Sequence, residues 1–134
     1  MSQDCIFCKI IEGEIPSYKV YEDDEVLAFL DINPVNPGHT LVVPKNHAKN
    51  LIEASEEDLL AAIKTIKKLA PAVMEGSGAK GFNLGVNNGS VAGQVVNHLH
   101  FHLMPRFEND GHHLWSGKPY SPGEAEIVAE KIKK

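Results

Sequence analysis

Residues 18–44 read YKVYEDDEVLAFLDINPVNPGHTLVVP. Three runs within it, Tyr18–Glu22, Val26–Ile32 and His39–Pro44, are rich in β-branched and aromatic residues, and Asp23-Asp24, Asn33-Pro34 and Pro37-Gly38 separate them. The first set suits a pleated, half-buried surface and the second suits tight turns, so the stretch predicts three consecutive antiparallel strands. Before it, Cys5–Glu12 carries apolar residues at Ile6, Ile10 and Ile11, a helical pattern that Gly13 and Pro16 would end. After it, Ser55 with Asp58 three residues on resembles a capping box, and Leu59, Ile63, Ile66, Ala70 and Val73 share one face of a long helix. Pro71 should kink that helix or begin its last stretch. Gly76, Gly78 and Gly81 break the pattern, Phe82–Val86 reads as a fourth strand, residues 87–94 as a turn or loop, and about Val95 to Met104 as a fifth strand.

Beyond Pro105 the composition turns polar, and a last helix is expected from Ser121-Pro122 to the basic end. Strands grouped rather than alternating with helices give an α+β fold with a mainly antiparallel sheet. The expected organisation is one domain over residues 1–134, with 107–134 a C-terminal tail containing a short helix.

The composition fits one globular domain: 134 residues, 43% apolar and 23% charged. Thirteen Lys and Arg against 18 Asp and Glu leave a net charge of −5, so no basic field exists to wrap nucleic acid, and a phosphate ligand needs a local site. The longest apolar runs are of strand length and far below the roughly 20 residues of a membrane span. The opening MSQDCIFCKIIEGE has neither the basic start nor the apolar stretch of a secretory leader, and two cysteines make no disulfide framework, so a cytoplasmic setting is expected.

The most informative run is His98-Leu99-His100-Phe101-His102-Leu103-Met104. On a strand the three histidines would share one face, with Leu99, Phe101 and Leu103 buried against a helix on the other. Stacked imidazoles add little apolar burial, and each needs hydrogen-bond partners, which makes a purely structural row a poor explanation. Two chemistries suit it: His100 and His102 as ligands of a catalytic zinc, or a neutral imidazole attacking phosphorus while its neighbours bind phosphoryl oxygens. Gly89, Ser90 and Gly93 allow backbone N–H groups to form an anion cradle, with Asn87 and Gln94 adding amides, and this favours phosphate chemistry. Separately, Cys5 and Cys8 have a spacing that lets both thiolates reach one metal, with His47 and one member of the histidine row as candidates for the remaining ligands.

The triad run, with Gly93-Gln94, Asn87, Asp31-Ile32 and Gly38-His39-Thr40-Leu41 upstream, resembles the signature of the histidine-triad (HIT) superfamily of nucleotide hydrolases and transferases. The likeness runs from Cys5 to about Arg106 and is greatest to the small bacterial-type branch similar to nucleoside phosphoramidate hydrolases. That resemblance implies a five-stranded antiparallel sheet with two main helices, and a homodimer whose sheets join into ten strands. It implies a purine nucleotide ligand with an AMP or GMP moiety, cleaved at the α-phosphate through a nucleotidyl-histidine intermediate. His100 would be the nucleophile, His102 would stabilise charge or the leaving group, and His98 would complete the triad. Asp31 resembles the acceptor of ribose hydroxyls, although it also suits a turn cap before Asn33-Pro34. Ile32 and Phe29 would lie near the base, His39 would support the triad, and Val95 stands where many members carry Ser or Thr. In members with the cysteine pair, the first triad histidine joins a structural zinc site, which here implies Cys5, Cys8, His47 and His98. A dinucleoside polyphosphate hydrolase and a non-catalytic nucleotide-binding module are the competing readings. His112 and His113 read as exposed or interface residues, or, with Trp115 and Tyr120, as closing the pocket of a partner subunit.

Overall fold

A computed structural model describes residues 4–133. The elements are α1 (Ile6–Ile11), β1 (Lys19–Glu22), β2 (Val26–Leu30), β3 (Thr40–Pro44), α2 (Glu56–Ser77), β4 (Gly81–Gly85), a 3-10 turn at Ser90–Ala92, β5 (Phe101–Arg106) and α3 (Glu124–Ile132). The strands form one antiparallel sheet in the order β1-β2-β3-β5-β4, the α+β architecture expected. Residues 1–3 of the expected domain, and Lys134 at the end of the expected last helix, lie outside the described residues.

Both faces of the central sheet are covered, so β2 and β3 are buried almost throughout rather than alternating. On one face Val26, Ala28, Val42, Phe101 and Leu103 pack against Ala62, Ile66, Leu69 and Ala70 of α2. On the other, Leu27, Phe29, Leu41 and Val43 pack against Cys5, Phe7, Cys8 and Ile10 of α1 and its N-cap. Each fully buried Leu or Phe contributes roughly 1.5–3 kcal/mol.

Several expectations need correction. The fifth strand begins at Phe101 rather than Val95. Residues before it leave the ladder because Pro44, at the end of β3, has no N–H to offer, while Leu99 donates its own N–H to the Ala48 carbonyl at 2.8 Å. The buried face of α2 carries Ala62 and Thr65, and Ile63 is 47% exposed. Only half of the capping box forms: Ser55 Oγ accepts from the Asp58 N–H at 3.1 Å, while the Asp58 carboxylate accepts from Asn46 Nδ2. Helix α2 continues through Pro71, which, like Lys67 one turn back, sits on the exposed side, where water can satisfy the carbonyl that proline leaves unpaired.

Candidate active site and metal centre

Strand pairing aligns the site. Phe29 lies opposite Leu41, and Leu41 opposite His102, so these three cross the sheet on the face that α1 covers. His39, two residues before Leu41, shares that side. Between this face and α1 lies a cavity of about 430 Å³, whose apolar wall includes Ile6, Phe7, Ile10, Phe29 and Leu41. Its polar end carries Asp31, Asn87, Gly93, His100 and His102. The volume suits a small-molecule ligand, with an apolar wall for a ring and a few placed polar groups.

Main-chain groups decide the tautomers of the histidines. His100 Nδ1 lies 2.7 Å from the His98 carbonyl, which only accepts, so Nδ1 carries the proton and Nε2 keeps its lone pair. His39 Nδ1 accepts from the Val35 N–H at 3.1 Å, so Nε2–H is its donor. That donor meets His102 Nδ1 at 2.9 Å, which leaves His102 with its own proton on Nε2. The neighbouring rings of His100 and His102 therefore offer a nucleophilic nitrogen and an N–H donor, with centroids 4.9 Å apart. Phe7 meets His100 edge-on at 4.9 Å and fixes its ring plane. The expected row on one strand face is thus replaced: only His102 lies in β5, and hydrogen bonds rather than ladder register align the rest.

Burial holds all of these rings below their ordinary pKa. It pushes His102 down to about 4, with His100 and His39 adding to the effect. His100 and His39 are lowered for the same first reason, against an opposing pull from Asp31. The row is therefore neutral at pH 7, the state a nitrogen nucleophile needs.

Asp31 forms the expected turn cap and also stands at the cavity. Its Oδ1 caps the Asn33 N–H at 2.8 Å, and the residue lines the cavity, with Oδ2 3.7 Å from His39 Nε2. Ile32 and Val95 line the mouth and are 80% and 90% exposed. The turn expected to form a backbone anion cradle has several of its N–H groups bonded internally. The N–H groups of Ala92, Gly93 and Gln94 are bonded to Gly89 and Ser90 carbonyls within the turn. Gln94 is not brought to the cavity: its Nε2 donates to the Lys49 and Val96 carbonyls and its Oε1 accepts from Gly89 N–H, so it staples the loop. His39 likewise stands behind His102 rather than on the cavity wall.

The second cluster joins three distant segments. Cys5 caps α1, Cys8 lies within it, His47 follows β3, and His98 precedes β5. His98 Nε2 donates to the Pro44 carbonyl at 2.8 Å, so its Nδ1 lone pair faces Cys5 Sγ at 3.3 Å, Cys8 Sγ at 3.5 Å and His47 Nδ1 at 3.1 Å. Ligands around a tetrahedral zinc stand roughly 3.3–3.8 Å apart, so these three contacts would part by only a few tenths of an ångström to admit one, and all four ligand atoms lie within 4.8 Å of one another. Among the described residues, the only other group of this kind is Asp31, His39 and His102. His100 belongs to neither group, against a zinc bound by His100 and His102.

A family model described as the HIT domain matches residues 12–109. The chain belongs to the HIT domain family. It is 41% identical over 131 residues to an adenosine 5'-monophosphoramidase of Schizosaccharomyces pombe, covering 96% of this chain and 95% of that one. A HIT family protein of Bacillus subtilis has the same fold, with a TM-score of 0.89 and 42% identity over 97% of this chain and 95% of that one. A zinc-bound histidine triad family protein of Mycobacterium smegmatis superposes with a TM-score of 0.77 and 39% identity, covering 82% of this chain and 80% of that one.

Several residues at this HIT domain's cavity were given no place in the site by the sequence. Phe7, Ile15, Pro16 and Leu41 line the cavity, and Val35 sets a tautomer through its main chain. Phe7 was accessible to sequence reasoning, three residues before Ile10 on a helical face; the Val35 N–H carries no sequence signal. In the tail, Trp115 and Tyr120 are exposed and lie outside this cavity. No helix among the described residues is long and apolar enough to cross a membrane.

Proposed function

We propose that this chain hydrolyses purine nucleoside phosphoramidates or related nucleotides at the α-phosphorus, through a nucleotidyl-His100 intermediate. One observation carries the reading: His100 lines the cavity with Nδ1 tied to the His98 carbonyl, which leaves Nε2 unprotonated beside the His102 N–H. His100 Nε2 attacks phosphorus as the bond to the leaving group breaks, and His102 Nε2–H stabilises the charge that gathers on the phosphoryl oxygens. A departing amine takes its proton from solvent, and water then attacks the phosphorus, releases the nucleoside monophosphate and restores His100. Asp31 accepts the ribose hydroxyls, the apolar wall at Phe29 and Ile32 takes the base, and Asn87 and the Gly93 turn edge the phosphate. The similarity to an enzyme named as an adenosine monophosphoramidase supports this substrate class.

Zinc at Cys5, Cys8, His47 and His98 is the metal this reading assigns, supported by the ligand spacing and the zinc-bound relative. It fills a closed four-ligand site and contributes stability and position rather than a step of the chemistry. The chain is read as a cytoplasmic homodimer. Edge strand β4 exposes Phe82 and Leu84 and has no partner on its outer side among the described residues, while Leu60 and Ile63 lie exposed on α2. Pairing of two such edges gives the ten-stranded sheet.

The test is to trap the intermediate. Rapid denaturation of enzyme turning over an adenosine phosphoramidate should give a nucleotidyl adduct by intact mass, absent in His100→Ala, whose turnover should fall about a thousandfold or more. A His100→Ala protein with wild-type turnover would remove His100 as the nucleophile.

A further inference from the structure

The tail segment after β5 is tied to the catalytic histidines by an unbroken set of contacts. His112 Nε2 lies 2.7 Å from the Val35 carbonyl, which only accepts, so the ring donates. The N–H of the same Val35 donates to His39 Nδ1, and His39 Nε2–H donates to His102 Nδ1. The tail end is held as firmly. Arg106, the last residue of β5, pairs with both oxygens of Asp110 at 2.7 and 3.0 Å. Asp110 accepts from the His112 N–H, and Arg106 donates to the His112 carbonyl. Asn36, next to Val35, donates to Asp110 and to the Pro105 carbonyl. The contacts close a ring: β5 carries Arg106, which sets the turn that presents His112, which holds Val35, which sets His39, which sets His102, which is again in β5.

We propose that His112 is a positioning residue for the reaction: by holding Val35 it fixes the His39 tautomer and so keeps the proton of His102 on the nitrogen that faces the substrate. The inference rests on the reading of His102 given above. The alternative tautomer of His102 needs a donor, or nothing, at its Nε2 and a proton on Nδ1. That requires His39 to accept at Nε2 and carry its proton on Nδ1, where it would point at the Val35 N–H. Two N–H groups cannot face one another at 3.1 Å, so a fixed Val35 forbids the wrong state. Without His112 the turn at 33–38 keeps Asn36 but loses the contact on Val35 itself. The proton of His102 is then free to divide between its two nitrogens. A merely structural role for His112, pinning an exposed loop, would change stability and leave the ring protons where they are.

The full chain as purified, with His112→Ala and His112→Gln variants, separates the two. Turnover of adenosine 5'-phosphoramidate is measured beside the ¹⁵N resonances of the His102 ring, which distinguish the tautomers. For His112→Ala, kcat should fall about fivefold, the effect of losing one hydrogen bond, with KM within about twofold. The His102 nitrogens should move from the pattern of a pure Nε2–H ring toward a mixture. His112→Gln keeps a side-chain donor for the Val35 carbonyl and should recover both. A His112→Ala protein with the wild-type nitrogen pattern, or a loss of kcat that glutamine does not recover, overturns the proposal. If the wild-type chain turns over no phosphoramidate at all, the reading of the reaction fails, and the nitrogen pattern alone then decides whether His112 governs the tautomer.

Discussion

A buried imidazole is useful at phosphorus only if it is neutral and presents the right nitrogen, and both conditions are met here by neighbours rather than by the histidines themselves. The His98 carbonyl turns His100 Nε2 into a lone pair, and Val35, through His39, turns His102 Nε2 into a donor. Neutrality comes from burial, which holds His39, His98 and His100 below the ordinary histidine range and His102 at about 4. In the unfolded chain the same rings titrate near 6.5, so between about 4 and 6.5 the unfolded state binds more protons than the folded one. Stability from this row is complete above about pH 6.5 and is lost as the pH falls toward 4. The melting temperature should therefore decline steadily from pH 6.5 to 4.5, and His102→Gln should flatten part of that slope. A wild-type melting temperature that is level across the window, or a slope that His102→Gln leaves intact, would show that these rings are not held neutral by the fold. Turnover should follow the same direction, with an acid limb below the 6.5 of a free imidazole.

At the scale of elements, strands β1 to β4 and helix α2 were legible because their residue types and turn signals agree; the strand ends differ from expectation by two residues or fewer, while α2 runs on through Gly76, which was expected to break it, to Ser77. The fifth strand was misplaced for a physical reason: alternation of His98, Leu99 and His100 looks like a pleat, but residues 98–100 are all buried, held by carbonyls and thiols instead of a ladder. Helix α1 was legible as a helix but not as the wall of the cavity, since the reading used Ile6, Ile10 and Ile11 and not Phe7. Pattern alone also did not reveal that β2 and β3 are covered on both faces. The turn before His39 shows how elements set the site. Gly38 has φ +96°, and a Cβ there would stand 3.1 Å from Ser77 Cβ at the end of α2 and 3.2 Å from Pro105 Cγ in β5. Neither neighbour is a flexible tip, so Gly38→Ala should combine left-handed backbone strain with overpacking and cost roughly 2–4 kcal/mol in denaturant unfolding. It should also displace His39 and lower turnover in the protein that remains folded. A loss under about 0.5 kcal/mol would mean that α2, β5 and this turn are less closely packed than these distances state.

The whole molecule is drawn together by the cysteine and histidine cluster, which links the start of the chain to the segments after β3 and before β5. Its members were named from the sequence, yet the spacing of Cys5 and Cys8 alone could not select His98; that follows from the Pro44 carbonyl, which takes His98 Nε2–H and turns Nδ1 toward the thiols. Two sulfur atoms and two ring nitrogens surround one small volume, a donor set that a single divalent ion can engage together. The chain should therefore be purified with close to one zinc per molecule. Because ligation needs folded geometry, metal binding and folding are linked, and a Cys5→Ser, Cys8→Ser double variant should lose the metal and melt at a lower temperature. The effect should reach the proposed reaction as well, by one step: the His98 carbonyl orients His100 at 2.7 Å, so a His98 released from metal would hold the proposed nucleophile less well. Turnover in the double variant should fall moderately, far less than in His100→Ala, while His102→Ala should abolish most turnover and keep its zinc. Full zinc retention by the double variant, or zinc loss from His102→Ala alone, would move the metal from this cluster to the catalytic row.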